Sequence, residues 1–138
     1  MFTNSDMTLY NKVPQQGIET EKYTRTQIEN VFWNESTETV NGENGLKKEE
    51  VLRLLISKDS MQELEKEYIK PKEWLKSNEK DKYYTFQNGD IVVKGLVDKD
   101  IVSSKELEKE YDNVLSIVSI TDNRYGNEDM QHFFIRAE

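Results

Sequence analysis

Apolar and polar residues alternate along several short stretches of this chain, and turn-forming residues separate most of the stretches. Alternation with a period of two is typical of a β-strand with one buried face. The segment 50–57 also fits a helix by periodicity, but the loop before it favours a strand, because that loop should return the chain beside the preceding segment. We expect strands at 7–13, 23–34, 50–57, 83–86, 90–93, 114–120 and 130–136.

Asn-Gly pairs mark the sharpest expected reversals, because Asn and Gly tolerate positive φ. Two such pairs lie within Asn41-Gly42-Glu43-Asn44-Gly45. A third pair, Asn88-Gly89, is expected to join strands 83–86 and 90–93 into a hairpin, and residues 122–129 are expected to connect the last two strands. The pattern therefore predicts antiparallel pairing.

Three places carry helix-start signals. Ser60-Met61-Gln62-Glu63 fits a capping box, and Met61, Leu64 and Tyr68 would then share one helical face. Pro71 begins a second candidate helix, because proline is tolerated in the first helical turn. Ser103 begins a third, which runs to about Tyr111. The first two lie in a charged segment at about 58–82.

These elements predict a mainly β fold: a small β-barrel or sandwich of antiparallel strands with one or two short helices inserted. We expect a single domain over residues 1–138 with a helical insert at about 58–82. The core is lean, since only 35% of the residues are hydrophobic. Large rings should supply much of its buried area, namely Phe32, Trp33, Trp74, Tyr83, Phe86, Phe133 and Phe134.

The net charge is −8, from 27 acidic and 19 basic residues. This balance disfavours a nucleic-acid reader, which normally carries a basic face. No apolar run approaches the roughly 18–20 residues that span a bilayer, and the N-terminus lacks the pattern of a signal peptide. The chain has no cysteine, which excludes disulfides, thiolate metal sites and cysteine nucleophiles and fits a reducing cytoplasm.

Candidate reactive residues are few. His132 is the only histidine, and its place in an apolar strand indicates a structural role. Asp122-Asn123-Arg124 could form an anion site, but Asp and Asn commonly cap tight turns, so a structural role is favoured. Asp90, Asp98 and Asp100 match no calcium-loop spacing and are expected to be solvated turn residues. We expect no catalytic, cofactor-binding or metal-binding residue and no enzyme activity.

Short motifs along the whole chain add a resemblance. They are Phe2-Thr3-Asn4-Ser5-Asp6-Met7-Thr8-Leu9-Tyr10-Asn11-Lys12, Gly89-Asp90-Ile91-Val92-Val93-Lys94-Gly95, and Asp122-Asn123-Arg124-Tyr125-Gly126 followed by His132. The chain resembles a family of small uncharacterised proteins encoded in the structural-gene cassettes of tailed phages and prophages of Firmicutes. It is also similar to head completion proteins, the head-tail joining or stopper class.

The resemblance implies a structural virion protein that forms a ring below the portal and joins head to tail. Its partners would be other copies of itself and the portal, adaptor and tail proteins, with DNA passing through the channel without specific binding and no membrane. It would be made in the bacterial cytoplasm and located in the neck of the virion. The expected interface residues are Asn41, Gly42, Glu43, Asn44, Gly45, Trp74, Arg124 and Tyr125.

Other functions stay open at this point. A tail terminator or a minor capsid component would use the same kind of subunit. An intracellular phage binding or regulatory module is a different class, and absence from purified virions would favour it. An enzyme would need an apolar pocket that gathers convergent polar groups.

Overall fold

A computed structural model of the protein describes residues 3–14, 22–101, 103–124 and 131–138. Six of its strands close into a barrel in the spatial order β1-β2-β3-β8-β7-β6, and all neighbours in the barrel are antiparallel. The elements in chain order are β1 (Ser5–Val13), β2 (Lys22–Gly42), β3 (Gly45–Ser57), α1 (Lys58–Gln62), β4 (Glu67–Tyr68), α2 (Pro71–Lys76), β5 (Tyr83–Tyr84), β6 (Ile91–Lys94), α3 (Ser104–Glu110), β7 (Val114–Asn123) and β8 (His132–Ala137). The predicted mainly β fold is confirmed, as a barrel with three short helices in the described ranges.

The second strand is much longer than its sequence pattern indicates and serves two neighbours in turn. Its first part pairs with β1 up to Val31, and its second part pairs with β3 from Phe32 onward. Asn30 lies at this change of partner with a φ of +61°. Its backbone N–H donates to the Asp6 carboxylate over 3.0 Å. This local bend lets one strand turn a corner of the barrel.

The ambiguous segment 50–57 is a strand, as the Asn-Gly loop indicates, and lies within β3. The expected hairpin between 83–86 and 90–93 is wrong. The short β5 pairs in parallel with β4, whereas β6 pairs with β1 and β7. The Asn88-Gly89 turn is present, but Gly89 N–H donates to the Ile117 carbonyl over 2.8 Å. That bond directs the chain toward β7 and away from β5.

The first helix begins before the expected capping box. Its N-cap is Ser57, whose hydroxyl accepts a hydrogen bond from the Ser60 backbone N–H over 3.2 Å. The helix ends at Gln62, so the expected helical face does not form. Leu64 and Tyr68 nevertheless pack against the barrel core beside Met61. The starts predicted at Pro71 and Ser103 are confirmed in α2 and α3.

The barrel interior is filled by apolar side chains from all six strands together with Met61, Tyr84 and Phe86. Aromatic rings close one end: Phe133 lies 4.9 Å from Tyr68 and 5.0 Å from Phe86, measured between centroids. Of the rings expected in the core, four are buried and three are half-buried. The buried rings are Trp33, Trp74, Phe86 and Phe133, and the half-buried rings are Phe32, Tyr83 and Phe134.

A second apolar layer covers the outer face of β1 and β6. Its buried members are Tyr10, Ile91, Val93, Val97, Ile101 and Leu107, the last of which comes from α3. The Tyr10 hydroxyl donates to the Lys99 carbonyl over 2.6 Å, and the Thr8 hydroxyl bonds both Gly95 and Val97 backbones over 2.8 Å. These bonds hold residues 95–101 against the sheet. The outer face of β1 and β6 is therefore covered by residues of the same chain.

Candidate functional site

The end of the β2–β3 pair, residues 36–51, carries the exposed run 41–48, and we name it the projecting hairpin. Among the described strands, β1 pairs with β2 only as far as Val31, and β8 pairs with β3 only from Leu52 onward. The ladder of β2 with β3 continues beyond the barrel from Ser36↔Val51 to Gly42↔Gly45. Six further residue steps carry it roughly 20 Å from the barrel.

The hairpin therefore has two open edges over the described residues. Backbone N–H and C=O groups along such edges can pair with a strand of another molecule. A two-stranded ribbon is also marginally stable by itself in water. Both facts favour a hairpin that functions in contact with a partner.

An ionic cluster holds the base of the projecting hairpin. The Glu38 carboxylate accepts a hydrogen bond from Arg53 on β3 and lies 3.5 Å from Arg136 on β8. Arg53 also donates to the Ser36 hydroxyl over 3.2 Å, and Arg136 to Glu138 over 3.2 Å. The cluster therefore joins the base of the hairpin to β3 and β8 of the barrel.

The tip of the hairpin, residues 41–46, is the Asn-Gly loop that the sequence predicts as a reversal and as an interface. Glu43 and Asn44 form a two-residue turn between Gly42 and Gly45, and Gly45 has a φ of +109° that favours glycine. All residues from 41 to 48 are exposed. Leu46 is 77% exposed, the highest value among the exposed large hydrophobic residues of the described chain. Leu46 therefore presents an apolar side chain to solvent at the tip of the hairpin.

Trp74, the second expected interface position, is fully buried. It lies in α2 with the Lys80 ammonium 5.3 Å from its ring centroid, and Lys80 also donates to the Ser77 carbonyl over 2.7 Å. An interface role for Trp74 stays a prediction, and its burial argues against that role because a buried indole offers no surface to a neighbour. The sequence could not separate the two roles, since a tryptophan beside charged residues fits either.

Arg124, the third expected interface position, is fixed within the subunit. Its guanidinium makes two bonds to the Asp122 carboxylate, of 2.9 and 2.8 Å, and lies 5.0 Å from the Tyr68 ring and 4.8 Å from the Phe133 ring. Arg124 holds the pKa of the Asp122 carboxyl below its usual value. These contacts support the structural role that the sequence favours for Asp122 and Arg124. Tyr125 lies outside the described residues.

A cleft of about 530 Å³ opens beside Arg124, and we name it the barrel-end cleft. Its apolar lining comes from Met61, Leu64, Tyr68 and Tyr84. The volume lies within the roughly 300–1,000 Å³ of clefts that hold drug-sized groups. The position of this cleft could not be read from the sequence, because it forms between α1, the irregular segment 63–66 and β4, which pack together only in the folded chain.

Charged residues frame the barrel-end cleft. Lys58, Lys66 and Arg124 supply three cations, and Glu65 and Glu67 supply two carboxylates. Burial lowers the pKa of Lys66, whose ammonium donates to the Arg25 carbonyl and to the Thr26 hydroxyl. A neighbouring hollow of about 620 Å³, on the side of Arg25 and Glu29, is lined almost wholly by polar residues. Of these two hollows, the barrel-end cleft is therefore the one with an apolar floor.

Asp90 differs from its expected place as a solvated turn residue, because only 2% of it is exposed. Its carboxylate accepts from the Asn11 amide over 2.7 Å and from the Lys12 N–H over 3.0 Å, and the same Asn11 amide donates to the Thr85 carbonyl over 2.7 Å. Burial raises the pKa of Asp90 to about 6, although the bonds from Lys12, Asn11 and Gln87 act against this rise. Asp90 is therefore a buried residue that precedes β6 and accepts hydrogen bonds from donors on β1.

Asp98, Asp100 and His132 lie at the surface or partly so. Arg25 donates to Asp100 over 2.8 Å, and Gln27 donates to Asp98 over 2.8 Å, so both carboxylates tie residues 95–101 to β2. The His132 ring nitrogen Nε2 lies 3.3 Å from the Asn123 amide across the β7–β8 pair. In the described part of the chain, no group of three His, Cys, Asp or Glu residues could hold a metal ion.

The fold and these surfaces define a small protein with a closed six-stranded β-barrel and a projecting two-stranded hairpin. A family model matches residues 2–138, so the chain belongs to a family of unknown function, DUF6751. Searches of the curated proteins and of the solved structures found no match. None of the helices in the described ranges is long and apolar enough to cross a membrane.

Proposed function

We propose that this protein is a structural subunit of a tailed-phage virion, a component of the head-tail connector that assembles as a ring below the portal. The observation that carries the assembly role is the projecting hairpin, a ribbon with open edges and an exposed leucine. Its place in a phage neck is supported by the resemblance of the chain to structural-cassette and head completion proteins.

The charge of the chain fits this role. A net charge of −8 per subunit is multiplied when copies surround an axis. A channel wall of that sign repels the phosphate backbone, so DNA passes without adhering. The virion neck is the location that this proposal assigns to the protein.

Mass spectrometry of purified particles tests the proposal directly. We expect the protein in the particles at a fixed copy number, and we expect density for it between portal and tail in a map of the neck. A position at the far end of the tail tube or on the capsid would indicate a tail terminator or a minor capsid protein. Absence from particles would overturn the virion role and favour an intracellular module.

A hairpin deletion tests the role of the site. Residues 37–50 are replaced by Asn-Gly, which joins the directly opposed Ser36 and Val51 through a two-residue turn. In phage-producing cells without the native gene, we expect this variant to fold but not to restore infectious particles. Leu96→Ala is the control. It shortens an exposed side chain in the segment 95–101, far along the chain from the hairpin, and should restore infectious particles. Equal rescue by both variants would contradict the proposal.

A further inference from the structure

The projecting hairpin and the barrel-end cleft lie at opposite ends of the same strand. The tip lies at the start of β3, at Gly45, and the cleft begins at Lys58, directly after its end. The eleven steps from Leu46 to Ser57 span roughly 35–40 Å in an extended strand. A hairpin tip cannot therefore reach the cleft of its own subunit.

The two surfaces have complementary chemistry. The tip presents one large apolar side chain, Leu46, and one carboxylate, Glu43, on a turn whose residues are all exposed. The cleft presents an apolar floor that includes Met61, Leu64 and Tyr68. Of the three cations in the cleft lining, Arg124 is paired with Asp122 and Lys66 donates to Arg25 and Thr26, so Lys58 is the cation that the Glu43 carboxylate would approach.

We propose that the hairpin tip of one copy docks in the barrel-end cleft of the next copy, with Leu46 on the apolar floor and Glu43 toward the side that holds Lys58. The contact is heterologous, because two different surfaces of the same chain meet. Such a contact repeats from copy to copy and closes into a ring when the rotation between copies allows it. This proposal names the partner of the hairpin and depends on the proposed function only for its biological setting.

Cross-linking between two single-cysteine variants tests the contact. The chain has no native cysteine, so every cross-link forms through the introduced thiols, and the heterodimer is separated from the two homodimers by mass. Asn44→Cys places a thiol in the tip turn without altering Leu46, and Gln62→Cys places one at an exposed position in the cleft lining. The two purified proteins are mixed over a range of concentrations and treated with a short bis-maleimide. We expect a heterodimer that forms at least tenfold faster than with the control pair.

The control pair replaces Gln62→Cys by Lys72→Cys, an exposed position of the same helical insert that lies outside the cleft lining. Adding Leu46→Asp to the Asn44→Cys protein should slow cross-linking to Gln62→Cys by about tenfold or more, because a buried leucine contributes enough free energy for such a change. Adding Leu96→Asp should leave the cross-linking rate within about twofold, since Leu96 is an exposed residue outside both the hairpin tip and the cleft lining.

Equal cross-linking rates for the cleft and control pairs, or no effect of Leu46→Asp, would overturn the proposal. Its failure is distinct from failure of the virion role. Particles that contain the protein, with no tip-to-cleft cross-link, would leave the neck assignment intact and refute this contact. A specific cross-link from a protein that is absent from particles would do the reverse.

Discussion

The same two strands, β2 and β3, pass through two different environments. Inside the barrel, Leu54 and Ile56 are fully buried, and Trp33 opposite Leu54 is only 4% exposed. Ten residues before Ile56 along β3, Leu46 is 77% exposed. The ladder of backbone hydrogen bonds is continuous across this change. Backbone pairing alone therefore does not decide where the folded core ends; a second layer of side chains does.

This difference in burial gives the two parts of β2 and β3 different roles. The barrel part of each strand has neighbours on both edges and an apolar filling, whereas residues 41–48 of the projecting hairpin are all exposed and the Glu38 cluster joins the hairpin to the barrel at its base. Changes in the barrel should therefore alter the free energy of unfolding. Changes at the hairpin tip should alter contacts between molecules.

Phe133→Ala should give the largest effect on stability. The ring is 1% exposed and lies among Tyr68, Phe86 and Arg124, so its removal leaves a cavity. We expect the free energy of unfolding to fall by about 3–5 kcal/mol, measured by chemical denaturation.

Leu46→Ala is the matched change on the projecting hairpin. Because Leu46 is exposed, the free energy of unfolding should change by less than about 0.5 kcal/mol. A loss as large as that of Phe133→Ala would show that the hairpin belongs to the folding core, and the contrast between the two regions would not hold.

Asp90 should give the next largest effect, as a pH dependence. Its pKa is raised from 3.8 to about 6 in the folded protein, so between these values the folded state binds more protons than the unfolded state. The contribution of this group to stability is then greatest below pH 4 and decreases as the pH rises toward 6. The full change is about 2–3 kcal/mol.

Asp90→Asn isolates the pH-dependent contribution of Asp90 to the free energy of unfolding, because the variant cannot titrate at position 90. Denaturation of both proteins at several values from pH 4 to pH 7 should show the native protein losing stability relative to the variant as the pH rises. A constant difference between the two would mean that the folded and unfolded carboxyl groups share one pKa.

Local patterns were sufficient to predict most of the barrel. Alternation gave the strand at 114–120, and two Asn-Gly pairs gave the turn at Glu43 and Asn44. The pairing partners of β5 and β6 could not be predicted, because Tyr83 and Ile91 lie in equally apolar segments. Only the tertiary bonds of Gly89 and Asp90 to β7 and β1 decide between the alternatives.

The candidate site was predictable only in part. The tip was recognisable because a turn with two Asn-Gly pairs is exposed in almost any context. Its extension beyond the barrel was not, since that depends on where β1 and β8 stop pairing with the long strands. Asp90 shows the opposite failure, because the Asn-Gly turn directly before it indicated a solvated position and tertiary packing buried its side chain.

Glu38→Gln should give a small stability effect that is confined to one part of the molecule. The carboxylate bridges Arg53 and Arg136, but all three side chains are between 30% and 40% exposed, so solvent screens the pairs and the substitution should cost about 0.5–1 kcal/mol. Because the cluster connects the projecting hairpin to the barrel, amide exchange should accelerate about two- to fivefold in residues 36–51 and remain unchanged in β1 and β6. Glu79→Gln, which removes the exposed pair with Lys82 in the helical insert, should leave the hairpin amides unaffected. Equal acceleration throughout the barrel would instead mean that the hairpin and the barrel open as one cooperative unit.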